Sequence, residues 1–206
     1  IPGNQRYSSF DISVPSDFSS ATFAATAAAI AGGDVTLTGL DFSDPQGDKG
    51  IFDIIKLAGA EVDIREDGVT VSGAELSGRE IDLNSMPDAL PALSVLACAS
   101  RGVTRIVNVK QARIKETDRI AVMCRELSKM GADISEEEDG LVVRESRLRG
   151  AVVNGCYDHR VVMALALAGM IAEGETVIET AEAADVTYPG FVDDFRKIGA
   201  DIRTEN

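Results

Sequence analysis

Basic residues are scarce in this sequence, which carries 20 lysines and arginines against 34 aspartates and glutamates. The net charge of −14 disfavours non-specific binding to nucleic acid or anionic membranes, because clustered basic side chains bind phosphate groups. Long apolar runs are also missing: those at 21–31 and 161–172 fall short of the ~20 residues that span a bilayer. We expect no nucleic-acid or membrane partner, and any anionic ligand needs a local basic cluster.

Cysteines are few as well: Cys98, Cys124 and Cys156 are an odd number without paired metal-ligand spacing. This usage is typical of reduced thiols, so we expect a cytoplasmic protein. The chain has 206 residues, 45% of them hydrophobic and 26% charged, which suits a folded protein of one large or two small domains. Because the first residue is Ile1 rather than Met, we expect a piece of something longer.

An internal repeat of about 70 residues organises the sequence. A Gly-Ala-acid marker recurs at Gly59, Gly131 and Gly199, at spacings of 72 and 68 residues. The same period separates the glycines that follow an Ala-rich apolar run and the aspartates that precede it (Gly32, Gly102 and Gly174; Asp17, Asp88 and Asp158). Three markers with one period predict three structural units, at about 10–78, 79–149 and 150–206.

Each unit is predicted to contain a strand, a helix, a strand, a second helix and two closing strands. The first unit opens with an alternating strand at 10–14, and glycine ends each helix in a left-handed conformation. Acid-Asp-Gly turns at 66–68 and 138–140 join the closing strands. The third unit stops after its first closing strand, so the hairpin partner must come from elsewhere. We predict an α/β (α+β) fold of three βαβαββ repeats, the third incomplete.

Basic residues also fall where helix N-termini are expected. The second helix of the middle unit is predicted to begin within 113–119, which places Lys115 and Arg119 on one helical face. In the next unit His159 and Arg160 begin the first helix. Cations at the positive end of a helix are unfavourable unless an anion binds there, so the pattern indicates an anion site. Solvated ion pairs are the alternative.

The same residues carry a resemblance to a known family. The string Arg-Ile-Lys-Glu-Thr-Asp-Arg-Ile at 113–120 resembles a signature of the 5-enolpyruvylshikimate-3-phosphate (EPSP) synthases, and the similarity runs from about residue 5 to residue 199. Shorter supporting segments are Asp17-x-Ser19-Ser20-Ala21, Gln46-Gly47-Asp48, Met86-Pro87-Asp88-Ala89 and Asp158-His159-Arg160.

The resemblance implies an enzyme with two domains, each built of three such repeats around a pseudo-threefold axis. It transfers the enolpyruvyl group of phosphoenolpyruvate to the 5-hydroxyl of shikimate 3-phosphate, with no cofactor and no metal. Since that enzyme is about twice as long, the chain resembles its C-terminal half. Residues 1–13 would then be the last strand of, and crossover from, the missing N-terminal domain, and 14–206 the C-terminal domain. The start of the whole protein would supply the missing hairpin partner.

The resemblance implies catalytic roles for two carboxylates. Asp88 resembles the acceptor of the proton on the 5-hydroxyl, because the hydroxyl must lose its proton as it attacks. The alternative is a helix N-cap, as its equivalents Asp17 and Asp158 suggest. Glu116 resembles the proton donor to the methylene carbon and lies three residues before Arg119, within pairing distance. Its alternative is a first-turn acid favoured by the helix dipole.

The substrate-binding residues that the resemblance implies are mainly basic. Lys115 resembles the contact to shikimate 3-phosphate, and Arg119 and Arg160 resemble the pair that holds the carboxylate of phosphoenolpyruvate, for which a guanidinium has suitable geometry. His159 is the only histidine in the sequence and is expected to support the site, with a structural hydrogen bond as the alternative.

The chain departs from the family at two positions. Gln111 stands where the family commonly has asparagine, and Val186 stands where many members have a lysine. We keep Gln111 as a substrate-binding residue and expect the contact at Val186 to be lost or replaced. Two other functions stay open: a UDP-N-acetylglucosamine enolpyruvyl transferase-like domain, and a non-catalytic repeat domain. We expect a monomer that folds but does not turn over by itself.

Overall fold

The computed structural model describes residues 2–205. What the sequence predicts for Ile1 and Asn206 lies outside these described residues. The helices and strands are, in order, α1 (Phe18–Ala31), β1 (Asp34–Leu37), α2 (Ile51–Ala58), β2 (Glu61–Arg65), β3 (Gly68–Ser72), β4 (Glu80–Asp82), α3 (Leu90–Ala99), β5 (Val103–Val107), α4 (Arg119–Lys129), β6 (Asp133–Glu137), β7 (Gly140–Arg144), β8 (Val152–Asn154), α5 (His159–Ile171), β9 (Val177–Glu179) and α6 (Phe191–Lys197). Short 3₁₀ helices cover Gly47–Gly50, Pro87–Ala89, Lys110–Ile114 and Ala181–Val186.

The middle unit has the predicted βαβαββ order from β4 to β7. Its four strands form one sheet in the order β4-β5-β7-β6, in which β4 runs parallel to β5 and the other neighbours are antiparallel. The α/β fold class is confirmed. The pseudo-threefold axis stays a prediction.

The first unit has a three-stranded sheet in the order β1-β3-β2. The strand predicted at 10–14 is wrong: this segment has no strand conformation, and Phe10, Ile12 and Val14 are 80%, 67% and 85% exposed. The alternation of apolar and polar residues is that of a strand. However, backbone N–H and C=O groups need a neighbouring strand, and in the described part of the chain this segment has none.

The third unit contains the two parallel strands β8 and β9. The closing strand predicted after Gly199 does not form within residues 200–205. In the middle unit the equivalent strand β6 is held by its antiparallel partner β7, and the third unit offers no such partner among the described residues. Pairing, more than the sequence of the strand itself, decides whether it forms.

The core is built around the three Ala- and Leu-rich helices, because α1, α3 and α5 pack against one another. Their side chains are buried almost all round, which explains why these segments lack a polar face. Helices α2 and α4 are amphipathic and cover the sheets with residues such as Ile55 and Leu127. Burial of one such side chain contributes about 1.5–3 kcal/mol. Within residues 2–205, no helix is long and apolar enough to cross a bilayer.

Glycine ends only some of the helices as predicted. Gly32 caps α1 with a φ of 79°, and Gly59 caps α2 with a φ of 124°. By contrast, α3 ends at Ala99 and α5 at Ile171, three residues before Gly102 and Gly174. Both glycines have a positive φ, and they turn the chain toward the next strand after the helix has already ended.

Candidate active site

The three equivalent aspartates differ in what their side chains do. Asp17 accepts hydrogen bonds from the backbone N–H groups of Ser19 and Ser20 and so caps α1. Asp158 caps α5 in the same way, through the N–H of Arg160 at 2.9 Å. Asp88 lies inside the 3₁₀ turn Pro87–Ala89, which has no side-chain cap. The N-cap alternative for Asp88 is therefore wrong, because its carboxylate is engaged elsewhere.

The carboxylate of Asp88 faces three cations. Its Oδ1 lies 3.0 Å from Nζ of Lys115 and 2.8 Å from Nη1 of Arg119, and its Oδ2 lies 3.5 Å from Nη2 of Arg160. Burial by itself would raise the pKa of Asp88, but Arg160, Lys115 and Arg119 outweigh it and lower this pKa below its usual value. Asp88 is ionised near neutral pH and able to accept a proton.

The segment before α4 has a different backbone conformation from the predicted helix. Helix α4 begins only at Arg119, with Asp118 as its N-cap, so Lys115 and Glu116 precede the helix. Lys115 has an extended backbone, with φ of −85° and ψ of −152°. The prediction that Lys115 shares a helical face with Arg119 is wrong, as is the first-turn alternative for Glu116. The extended backbone nonetheless brings Lys115 to Asp88.

Arg119 is the most buried cation of the cluster, with 1% of its side chain exposed. Its Nε and Nη2 donate to the two oxygens of Asp158, at 2.8 and 3.1 Å. Its Nη1 donates to Asp88 at 2.8 Å, and its Nη2 also donates to Glu116 at 2.6 Å. The predicted pairing of Glu116 with Arg119 is confirmed.

The basic residues expected at the helix starts do not all face this cluster. Arg113 donates to Asp118 and to the backbone carbonyls of Glu137 and Glu138, so it ties the segment to the β6–β7 hairpin. Its guanidinium has a structural partner instead of a free edge. For Arg113 the structure therefore agrees with the ion-pair alternative and not with an anion site.

His159 and Arg160 begin α5, as predicted. His159 is buried; burial first and the charge of Arg160 second lower its pKa, so the imidazole is neutral at pH 7. The side chain of Arg160 is 13% exposed, and its 3.5 Å contact to Asp88 is the longest in the cluster. Arg160 therefore belongs to the cluster, with Asp88 as its carboxylate partner.

Two predicted positions lie outside the cluster of charged side chains. Gln111 sits in the Lys110–Ile114 3₁₀ helix and donates to the carbonyl of Asn84 at 3.0 Å. Its role in substrate binding stays a prediction. Val186 is 76% exposed at the end of the Ala181–Val186 3₁₀ helix, and its side chain is uncharged.

Asp158 belongs to this site, and Asp48 lies close enough for Asp88 and Arg160 to influence its charge; the sequence analysis assigned neither residue a role here. Asp158 is fully buried; Arg119 and the backbone N–H groups of α5 outweigh the effect of burial and lower its pKa. Asp48 has a buried Oδ1 that lacks a partner among the described residues. Burial, followed by the negative charge of Asp88, raises the pKa of Asp48 against the opposing effect of Arg160. The available signals were the Asp-His-Arg and Gln-Gly-Asp motifs that contain these residues.

The cluster is formally neutral. It combines three cations with three carboxylates: Lys115, Arg119 and Arg160 with Asp88, Glu116 and Asp158. The arrangement offers a proton acceptor, a second carboxylate and guanidinium groups at one place, at the N-terminal ends of α3, α4 and α5. Such a set suits proton transfer on a substrate that bears acid groups.

Comparison with solved structures first defines the class. The chain matches an EPSP synthase from Acinetobacter baumannii with a TM-score of 0.88 and 28% identity, over 94% of this chain and 48% of that one. It also matches the enolpyruvyl transferase NikO from Streptomyces tendae with a TM-score of 0.76 and 23% identity, over 94% and 45% of the two chains, a likeness of fold alone. The fold is that of these transferases.

Sequence comparison then identifies the family. The profile described as EPSP synthase (3-phosphoshikimate 1-carboxyvinyltransferase) matches residues 1–195, and the chain belongs to this family. Proteins named 3-phosphoshikimate 1-carboxyvinyltransferase from Ruminiclostridium cellulolyticum and Acetivibrio thermocellus are each 58% identical to it, over 98% and 99% of this chain. One from Methanocaldococcus jannaschii is 41% identical over the full length of this chain. The chain spans about half, 48%, of each of these relatives.

Proposed function

We propose that this chain is the C-terminal half of an enzyme that transfers the enolpyruvyl group of phosphoenolpyruvate to the 5-hydroxyl of shikimate 3-phosphate and releases phosphate. The observation that carries the proposal is the position of Asp88, which contacts Lys115, Arg119 and Arg160 at once. Family membership and the names of its relatives support the same reaction. The enzyme would act in aromatic amino-acid biosynthesis, in the cytoplasm and as a monomer.

Asp88 and Glu116 would move the protons. As the 5-hydroxyl oxygen forms a bond to C2 of phosphoenolpyruvate, its proton passes to Asp88, while Glu116 gives a proton to the methylene carbon C3. Phosphate then leaves C2 while Glu116 takes a proton back from C3, which restores the double bond and returns Glu116 to its protonated form. The carboxylate of Asp88 is ionised beside its three cations, which is the state that a proton acceptor requires.

The cations would hold the two substrates. Lys115, whose Nζ lies 3.0 Å from Oδ1 of Asp88, would bind the phosphate of shikimate 3-phosphate. Arg119 and Arg160 would share the carboxylate of phosphoenolpyruvate, with His159 and Gln111 as supporting contacts. Because the cluster is formally neutral, it offers two acidic substrates little net attraction. We therefore propose that the fragment alone binds them weakly and does not turn over.

The missing N-terminal domain is the partner that would complete both the site and the fold. Residues 1–13 would belong to its last strand, and residues 14–206 to the C-terminal domain. Exposed apolar side chains at Phe10, Ile12 and Val14 suit a segment that pairs with a strand outside this chain. Among the described residues, the β8–β9 sheet has no hairpin like the one beside β5 in the middle unit, and it would accept strands from the same source.

Complementation tests the proposal. The chain is mixed with the matching N-terminal half, and phosphate release from phosphoenolpyruvate is measured with and without shikimate 3-phosphate. We expect release that requires shikimate 3-phosphate and is abolished by Asp88→Ala, whereas Asp53→Ala, on the exposed side of α2, leaves it intact. Release that depends on UDP-N-acetylglucosamine would instead identify the related transferase, and no release at all would favour a non-catalytic domain.

A further inference from the structure

The guanidinium of Arg119 has two edges, and they are occupied in different ways. The edge formed by Nε and Nη2 binds a single carboxylate, Asp158, through both of its oxygens. The outer edge formed by Nη1 and Nη2 is divided between two side chains, with Nη1 on Asp88 at 2.8 Å and Nη2 on Glu116 at 2.6 Å. Each of these two carboxylates uses one oxygen.

The two carboxylates on the outer edge, Asp88 and Glu116, are more exposed than Asp158. The side chain of Asp158 is fully buried, while 27% of Asp88 and 47% of Glu116 is exposed. Since only 1% of Arg119 is exposed, Asp88 and Glu116 separate its outer edge from solvent. A ligand can reach this edge only after these two side chains have moved.

A single ligand carboxylate could take over both contacts. The outer edge of a guanidinium matches the two oxygens of one carboxylate in a bidentate pair, a stronger and more specific arrangement than two separate contacts. Asp158 would stay in place on the other edge and hold the guanidinium plane still during the exchange. The outer edge of Arg119 thus already binds two carboxylate oxygens, in the arrangement that one bound acid would offer.

We propose that Asp88 and Glu116 act as internal stand-ins for the carboxylate of the substrate, which displaces them from Nη1 and Nη2 of Arg119 when it binds. The inference rests on the proposed function and adds a coupling to it. Arrival of the substrate acid would release Asp88, the proton acceptor, and the carboxylate of Glu116 in one event, and Glu116 would take up a proton before it acts as the donor. Substrate anions would also neutralise cations that lower the pKa of Asp88, and so make it a better base.

Anion binding to the 206-residue chain tests the exchange. Glu116→Gln keeps the size of the side chain but removes the competing charge, and because Glu116 is half exposed the variant should fold. We expect it to bind phosphoenolpyruvate about fivefold more tightly than the parent in calorimetric titration. Asp88→Asn should shift affinity in the same direction. In a ¹⁵N NMR spectrum, the guanidinium signals of Arg119 should move on titration.

The matched control is Glu75→Gln, which changes the net charge equally. Glu75 pairs with Arg101, which follows the opposite, C-terminal end of α3, and this variant should bind like the parent. An unchanged or weaker affinity in Glu116→Gln, or an equal gain in Glu75→Gln, would overturn the exchange. Oxalate, a plain dicarboxylate, is titrated in parallel. If oxalate shows the gain and phosphoenolpyruvate does not bind, the exchange stands and the proposed substrate is wrong; if neither anion binds, the exchange itself is wrong.

Discussion

Asp17, Asp88 and Asp158 occupy equivalent positions in the three repeats but have acquired separate roles. Asp17 only caps its helix, and Asp158 both caps α5 and binds Arg119 with two oxygens. Asp88 caps nothing and meets three cations. A feature that repeats in sequence therefore caps a helix in two units and joins a cluster of charged side chains in the third. The difference depends on which side chains its own unit and the neighbouring unit place beside it.

Asp158→Asn should destabilise the chain strongly. The substitution leaves the buried guanidinium of Arg119 without its main counter-charge, and breaking a fully buried ion pair costs about 3 kcal/mol or more. Urea unfolding monitored by circular dichroism measures this loss. The control is Asp133→Asn at the exposed ion pair with Arg144, where we expect less than about 1 kcal/mol. Equal small losses in both variants would contradict the structural role given to Asp158.

Asp48→Asn should stabilise the chain at neutral pH. The folded state raises the pKa of Asp48 above the ordinary 3.8, so its ionised form is less favourable in the folded than in the unfolded chain. This cost is absent at pH values below 3.8 and is complete once the pH exceeds the raised pKa. Thermal unfolding at several pH values should give a higher midpoint for the variant at pH 7, with a difference that vanishes as the acid is protonated. A lower midpoint at pH 7 would contradict this.

At the scale of the elements, the glycines of the two repeated hairpins allow a neighbouring strand to approach closely, and the turn itself does not require them. Gly68 and Gly140 are the first residues of β3 and β7, and neither has a positive φ. A Cβ on Gly140 would lie 1.8 Å from the carbonyl oxygen of Ile106 in β5, and one on Gly68 would lie 2.6 Å from that of Leu37 in β1. The sequence pattern correctly predicts the hairpins. However, it explains each glycine by the conformation of the turn, whereas the structure explains it by the nearby strand.

Gly140→Ala should weaken the middle sheet. Its Cβ would force β7 away from β5, and overpacking of this kind costs about 1–3 kcal/mol. Chemical denaturation of the variant measures the effect. Gly3→Ala, a glycine with nothing within 4 Å of the added Cβ and no positive φ, should leave the stability of the chain unchanged. A Gly140→Ala variant as stable as the parent would show that the strands can separate without cost.

Local patterns predicted most of the elements because helices and paired strands have strong periodic signals. The failures occur where a tertiary contact decides the conformation. Segment 10–14 has the alternation of a strand but no partner, and Lys115 and Glu116 read as helix although Asp118 caps a helix that starts later. The ion pair between Arg119 and Asp158 joins residues 39 positions apart, so nothing in either local sequence shows it.

At the scale of the whole molecule, the sheets of the three units differ in completeness. Strand β5 lies between β4 and β7, whereas β9 has β8 as its neighbour and no other among the described strands. If the missing domain completes the third unit, the amides of Val177–Glu179 should exchange with solvent more slowly after the N-terminal half is added. Hydrogen exchange measured by NMR or mass spectrometry reads this directly. Strand β5 is the internal control, and unchanged exchange in β9 would contradict the proposed completion.

The charge of the molecule supports the proposal that the site needs both halves. The chain carries a net charge of −14, and the cluster around Arg119 is neutral. Neither provides an excess of positive charge for two acidic substrates. Further cations from the missing domain would supply it, which agrees with the proposal that turnover requires the complete protein.

The most direct test of the account separates a structural from a chemical role for Asp88. In the complemented enzyme, Asp88→Asn is measured for both turnover and thermal unfolding. We predict that turnover falls at least about 100-fold, as expected when a proton acceptor is lost, while the unfolding midpoint moves by only a few degrees. Turnover within tenfold of the parent, or a loss of stability large enough to explain the lost activity, would contradict the claim that Asp88 serves the reaction.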